Sequence, residues 1–247
     1  MTPSVLAGAI AIAFVAAGCQ SLTGFGFALV MVPLLSLVWD VKLAVVTSTV
    51  LSTAAVLPLL LEVRSHVQPR KVAPLLLGSF LGVPAGILLL DRIDAGPLKL
   101  LVAAVLIVAS LILYLAPSLT PSGSGGVPSV MVGMLSGVLR ASTSMGGPPI
   151  VLYVLTREPD VEEFRSTILA VFLPTSLLTL VGLAVTGWMT RDVLAASAVA
   201  LPALAVGLLA GAWLRHRVPQ GLFRTLVLAF LVLASVGVIL SASGQIS

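Results

Sequence analysis

The stretch Arg140-Ala141-Ser142-Thr143-Ser144-Met145-Gly146-Gly147-Pro148-Pro149 lies between two apolar runs, Val127 to Leu139 and Ile150 to Thr156. It places a cation, three hydroxyls, two glycines and two prolines where hydrocarbon-facing residues are expected. Gly costs backbone entropy in a helix, and Pro removes an N–H and clashes with the preceding turn, so this cluster breaks a helix. Inside a membrane segment a break frees backbone groups, and these are tolerated only where protein or water satisfies them, typically at a binding site. The first apolar segment carries a quieter counterpart, Gln20-Ser21-Leu22-Thr23-Gly24-Phe25-Gly26-Phe27.

Composition sets the class. The chain has 247 residues, 59% hydrophobic and 9% charged, with a mean hydropathy of +1.19. Soluble domains carry about 25% charged residues, so this is a polytopic integral membrane protein. The net charge of +4 is no sign of nucleic acid binding, because the Lys and Arg residues fall between apolar runs, where the positive-inside rule places them. The single cysteine, Cys19, excludes an internal disulfide and a Cys-based zinc cage. Ala16-Ala17-Gly18-Cys19 has a faint likeness to a lipoprotein cleavage box, but no Lys or Arg precedes it as a signal-peptide n-region requires. Met1 to Cys19 therefore reads as the first membrane helix.

The apolar runs are Pro3–Cys19, Phe27–Trp39, Val41–Leu61, Val72–Leu90, Pro97–Ala116, Val127–Leu139, Ile150–Thr156, Phe164–Val185, Val193–Leu214 and Leu222–Leu240. A spanning helix needs roughly 20 apolar residues. The five central long runs and Leu222–Leu240 meet that length, and the four short runs flank the two breaks. The expected class is all-α, since a barrel would need alternating strands.

Pro117 to Gly126 reads as a flexible linker, and it separates two similar halves, residues 1–116 and 127–247. Gly82, Gly86, Arg92, Gly96, Lys99, Ala109 and Ser110 match Gly207, Gly211, Arg217, Gly221, Arg224, Ala234 and Ser235 at one constant spacing. With a slightly shorter offset, Lys42, Ser52 and Thr53 match Arg165, Thr175 and Ser176. A break heads each half. Two topologies fit. Each half could contribute four spans, or each broken segment could be a re-entrant hairpin followed by three spans, which would invert one half against the other. Segment length favours two short helices meeting near the midplane, because Pro3 to Trp39 as one straight helix would be about 55 Å long. With hairpins, Arg64, Arg70, Lys71, Arg157, Arg165, Arg215, Arg217 and Arg224 share a side; with eight spans, Lys42, Arg92 and Lys99 take the place of the first three. Either way the N-terminus is expected outside.

The nine acids lie at or beyond the ends of the apolar runs, and His66 and His216 lie in basic loops. No metal-spaced cluster and no nucleophile–base pair falls inside a span, so neither an enzyme nor a cofactor is expected. What the interior holds is positive and hydroxylic. Arg140 is the one cation set away from an obvious helix end, at a cost of about 2.5–3.5 kcal/mol on insertion scales. It could snorkel or bond freed carbonyls. It could instead build an anion site with Ser142, Thr143 and Ser144 as donors and with the Gly146 and Gly147 backbone approaching closely, at half-helix N-termini that favour negative charge. Ser21, Thr23, Gly24, Phe25 and Gly26 are the equivalent candidates in the first break. Ser52-Thr53 and Thr175-Ser176 lie mid-span in matching helices and are expected beside the breaks. Gly82, Gly86, Gly207 and Gly211 form Gly-x-x-x-Gly pairs that tight helix packing explains.

Gly24-Phe25-Gly26-Phe27-Ala28-Leu29-Val30-Met31-Val32-Pro33, together with Ser136-Gly137 and Met145-Gly146-Gly147-Pro148-Pro149-Ile150-Val151-Leu152-Tyr153, resembles the sulfite exporter TauE/SafE family, also called the toluene sulfonate uptake permeases. The two-half layout extends the resemblance over nearly the whole chain. It implies inner-membrane transport of sulfur-containing anions such as sulfite, sulfonates or sulfoacetate. The chain departs from the family pattern in having fewer glycines in the first motif and Arg140-Ala141-Ser142-Thr143-Ser144 in a stretch often richer in Gly. The expected partners are a small organosulfur or other oxyanion and the lipid bilayer, with a homodimer left open and no nucleic acid. The rival class is a non-transporting membrane assembly or scaffold protein whose breaks serve packing alone.

Overall fold

In the computed structural model the described residues are 3–115, 128–155, 157, 160–215 and 217. They form helices α1 (Pro3–Thr23), α2 (Phe27–Leu35), α3 (Val41–Val63), α4 (Pro69–Arg92), α5 (Ala95–Leu115), α6 (Ser129–Thr143), α7 (Gly147–Leu155), α8 (Val161–Val185) and α9 (Arg191–Arg215), with a 3₁₀ turn at Arg64–His66. No strand occurs among them. The linker 117–126 and the run Leu222–Leu240 lie outside the described residues, as do His216 and the repeat positions from Gly221 onward.

Local chemistry sets the ends. The Asp40 carboxylate accepts from the amides of Lys42 and Leu43 and starts α3; Asp160 does the same for Glu162 and Glu163 at α8. Each satisfies two of the four orphan N–H groups of a first turn. Pro69 opens α4, where its missing N–H costs nothing. α1 stops at Gly24, which has φ +81, and α6 stops at Ser144, the one described non-glycine residue with positive φ, at +64.

Among the described residues six helices are long and apolar enough to cross a membrane: α1, α3, α4, α5, α8 and α9. α1 is the difference from expectation. It does not stop near Cys19 but runs to Thr23, because nothing in Gln20-Ser21-Leu22-Thr23 forbids a helix until Gly24. At 1.5 Å per residue it is about 30 Å long. The first break therefore lies towards one end of the bundle rather than at its middle. A Cβ on Gly24 would stand 3.3 Å from Cγ of Arg165, in the second turn of α8.

Both breaks turn the chain back on itself. Gly8, early in α1, lies beside Val38, just past α2, with 3.7 Å from the Gly8 Cβ position to the Val38 methyl. Ser129 at the start of α6 and Val154 near the end of α7 line one surface cavity, with Arg70, Lys71 and Arg157. The two ends of the bundle hold different residues. At one end Lys42 donates to the Asp91 carbonyl at 3.1 Å and lies over the Trp188 ring. At the other, Lys71 meets Glu163 at 3.4 Å, Arg165 meets Glu62 at 3.7 Å, and Ser166 donates to the His66 carbonyl.

Two helix pairs touch backbone to backbone. A Cβ on Gly78, Gly82 or Gly86 of α4 would stand 1.9, 2.1 or 2.3 Å from the Val130, Met134 or Val138 carbonyl oxygen of α6. Gly207 and Gly211 of α9 meet the Phe14 and Gly18 carbonyls of α1 in the same way. So the Gly-x-x-x-Gly pairs serve packing, and each joins a helix from one half of the sequence to the broken segment of the other. α3 and α8 pack on each other between them. Large apolar side chains such as Leu81, Leu111, Val181 and Leu209 face outward, as a bilayer requires.

Candidate functional site

α1 and α6 end in the same way. Thr23 Oγ1 donates to the Cys19 carbonyl and accepts the Phe25 amide at 3.3 Å. Thr143 Oγ1 donates to the Leu139 carbonyl and accepts the Met145 amide at 3.3 Å. The hydroxyls the sequence offers as ligands at these two positions thus hold the turns. After each turn a nine-residue helix begins.

The two turns meet at one cavity of about 20 Å³, the room of about one water. It is lined by Gln20, Phe25, Gly26 and the first turn of α2, by Ser52 and Val56 of α3, by Arg140, Ser144, Met145 and Gly147, and by Phe172 of α8. The Gly147 Cβ position lies 3.7 Å from the Phe25 ring and 3.8 Å from the Phe172 ring.

Arg140 sits in the last turn of α6, where a cation suits the helix C-terminus. It is 4% exposed. Its Nη1 donates to Ser176 Oγ at 2.8 Å, and its guanidinium carbon lies 4.2 Å from the Phe172 ring centre. That stacking contributes about 2 kcal/mol when desolvated. Nε has no hydrogen-bond partner. Gly146 packs directly behind: its Cβ position lies 2.7 Å from both the Arg140 Cβ and the Ser136 carbonyl, and its own carbonyl accepts from Ser136 Oγ at 2.6 Å.

α2 supplies the complementary group. Its first intrahelical bond runs from the Val30 amide to the Gly26 carbonyl, so the amides of Phe27, Ala28 and Leu29 have no acceptor within the helix. Gly26 has no side chain to cap them, and all three residues line the cavity. α7 differs, because its first turn contains Pro148 and Pro149, which have no N–H to give.

Of the residues expected at the site, Phe25, Gly26, Ser52, Arg140, Ser144 and Gly147 line the cavity, and Ser176 reaches it through Arg140. The others do not. Ser142, Thr53 and Thr175 donate to carbonyls one helical turn back, at Val138, Thr49 and Val171. Gly24 forms the turn against Arg165, and Gly146 backs Arg140. Ser21 lies at the α1–α9 contact, its Cβ 2.7 Å from the Gly211 Cβ position. Arg140 was expected away from any helix end but lies in the last turn of α6, and two further cations are buried, Lys99 and Arg165, at 5% and 2% exposed. Both lie within two turns of a helix start, where neighbouring segments cover them, and Glu62 and Glu162 stand 3.7 and 3.6 Å from Arg165.

Sequence reasoning missed Gln20 and Phe172 as cavity walls. For Gln20 a signal existed. It precedes the left-handed Gly24 by four residues, as Arg140 precedes the left-handed Ser144, so the two breaks align residue for residue and Gln20 stands where Arg140 stands. Phe172 carries no such mark; an aromatic in an apolar helix is ordinarily core.

Among the described residues, six long apolar helices and two interrupted segments whose turns meet beside a buried cation define a multi-pass membrane protein. The model of the Sulfite exporter TauE/SafE family matches residues 9–238, and the chain belongs to that family of membrane anion transporters. No curated protein and no solved structure matches it.

Proposed function

We propose that the protein carries a small sulfur-containing oxyanion, in the class of sulfite, sulfonates and sulfoacetate, across the inner membrane through the cavity where the breaks meet. The observation that carries this reading is Arg140. Among the described residues it is the only ionisable group in the cavity lining, held between Phe172 and Ser176 and facing a first helical turn with uncapped amides. A guanidinium meets two oxygens of an oxyanion at once, and helix N-terminal amides are natural anion ligands. The cavity is small in this conformation, so loading requires the two breaks to part.

The same reading takes residues 1–116 and 127–247 as related halves, each opened by a re-entrant hairpin. It is supported by the matched turns at Gly24 and Ser144, by the doubling back at Val38 and Val154, and by the reciprocal α4–α6 and α1–α9 contacts. The end bearing Arg64, Arg70, Lys71, Arg157 and Arg165 then faces the cytoplasm and the N-terminus faces outward. No Asp or Glu among the described residues lines the cavity, so transport runs on the membrane potential or on a proton carried by the substrate.

The test is flux into proteoliposomes across a panel of sulfite, methanesulfonate, sulfoacetate and chloride. Uptake of a sulfur oxyanion above protein-free liposomes is expected. If nothing passes at any applied potential, the breaks serve packing, and the scaffold reading replaces this one.

A further inference from the structure

We propose that the cavity is a monoanion site, and that Gln20, the uncharged counterpart of Arg140 on the first break, is what excludes dianions. This rests on the oxyanion reading above and narrows it: bisulfite and simple sulfonates fit, whereas sulfate, fully ionised sulfite and sulfoacetate carry one charge too many.

The argument is a charge count in a poorly hydrated place. The lining contains Gln20, Ser52, Arg140 and Ser144 as its polar side chains, with one full charge among them. Helix dipoles do not change the formal balance, because at each break the C-terminus of one helix meets the N-terminus of the next and opposite partial charges face the same point. Arg165 of α8 packs behind Gly24 of the first break rather than in the lining, and it stands within ion-pair distance of Glu62 and Glu162. A ligand with one negative charge is therefore neutralised by Arg140. A second negative charge would be desolvated with no partner, which costs several kcal/mol per ion.

Gln20 occupies the position where a second cation would complete a dianion site. It is 2% exposed, it lines the cavity, and its Oε1 has no hydrogen-bond partner among the described residues. A buried amide without a partner is costly, and a bound ligand supplies one. The amide adds hydrogen bonding to the ligand without adding charge. Ala9, Ala13, Ala16 and Ala17, buried before Gln20 on α1, are apolar, and the other buried polar residue of the helix, Ser21, packs against α9 rather than lining the cavity.

The experiment is equilibrium titration of the purified full chain with methanesulfonate, sulfoacetate and sulfate at mildly alkaline pH and fixed ionic strength, repeated on Gln20→Arg. For the parent, methanesulfonate should bind at least about tenfold tighter than either dianion. Gln20→Arg should narrow that ratio or invert it in favour of sulfate. Equal or tighter binding of sulfate by the parent overturns the proposal and leaves the anion site standing. An unchanged ratio in a folded Gln20→Arg protein overturns the role of Gln20. If Gln20→Arg is not recovered folded, the parent ratio alone decides. If no anion binds the parent, the oxyanion reading falls and this one falls with it.

Discussion

The two breaks share a backbone and differ in chemistry. Both end a long helix with a threonine that bonds backward and forward, both place the next residue at positive φ, and both begin a nine-residue helix that doubles back. The first offers the cavity uncapped amides from Phe27 to Leu29 and the amide of Gln20. The second, with Pro148 and Pro149 in its first helical turn, offers few amides and instead supplies the guanidinium of Arg140. On the proposed function, a shared scaffold divides the anion site into a charged wall and a hydrogen-bonding wall.

The strongest test of this comparison is all-or-none. If each break is a hairpin, cysteines introduced at Thr2 and at Asp40 in a Cys19→Ala background should both react with an impermeant thiol reagent applied from the same side. Reaction from opposite sides would show that α1 and α2 cross the membrane together, and the inverted arrangement of the halves would be lost.

Next in size is the charged wall. Arg140→Ala should weaken anion binding by roughly ten- to a hundredfold, the worth of a hydrogen bond to a charged group. Arg140→Lys should weaken it less, because charge is kept and the planar fork is lost. The readout is affinity in variants that elute as monodisperse protein, since Arg140 also stacks on Phe172 and bonds Ser176. Parental affinity in Arg140→Ala would move the site onto hydroxyls and amides alone.

The glycines after the turns sharpen the contrast, being required for different reasons. Gly146→Ala puts a methyl 2.7 Å from the Ser136 carbonyl and the Arg140 Cβ, an overpacking cost of about 1–3 kcal/mol that also tilts Arg140. Gly26→Ala has room, its nearest neighbour being Thr23 Oγ1 at 3.7 Å, but its φ is +105, so the cost is backbone strain of roughly 1–2 kcal/mol. Thermal unfolding should rank Gly146→Ala at or below Gly26→Ala, and Gly146→Ala alone should also weaken anion binding. Identical effects on both readouts would remove the distinction. The smallest effect belongs to Ser144→Gly. It relieves a positive φ of +64 but loses a 3.3 Å bond to Ser48 Oγ, and these offset to within about 1 kcal/mol. A shift of several degrees in unfolding temperature would mean that Ser144 does more than close the turn.

By itself the amino-acid sequence determined the solvent, the helical class and the places where helices fail. Each of these rests on local chemistry: run length against hydrocarbon thickness, Gly and Pro in a helix, Asp at a first turn. It also singled out Arg140, because a charge in an apolar segment is conspicuous without any knowledge of its neighbours. Only the tertiary structure decided which hydroxyls face the cavity. Ser52 and Thr53 are adjacent in sequence, yet one lines the cavity while the other faces its own helix, where it bonds the Thr49 carbonyl. Helical phase is invisible where apolar residues lie on every face, as they do in α3, whose hydroxyl residues from Thr47 to Thr53 are spread around the helix. The same limit hid Phe172, indistinguishable from core until Arg140 was seen resting on it, and Arg165, a residue near a helix start that neighbouring segments bury. Burial and facing are properties of what packs against a residue, and in a chain whose hydrophobic pattern has no polar side, contacts between distant segments settle them.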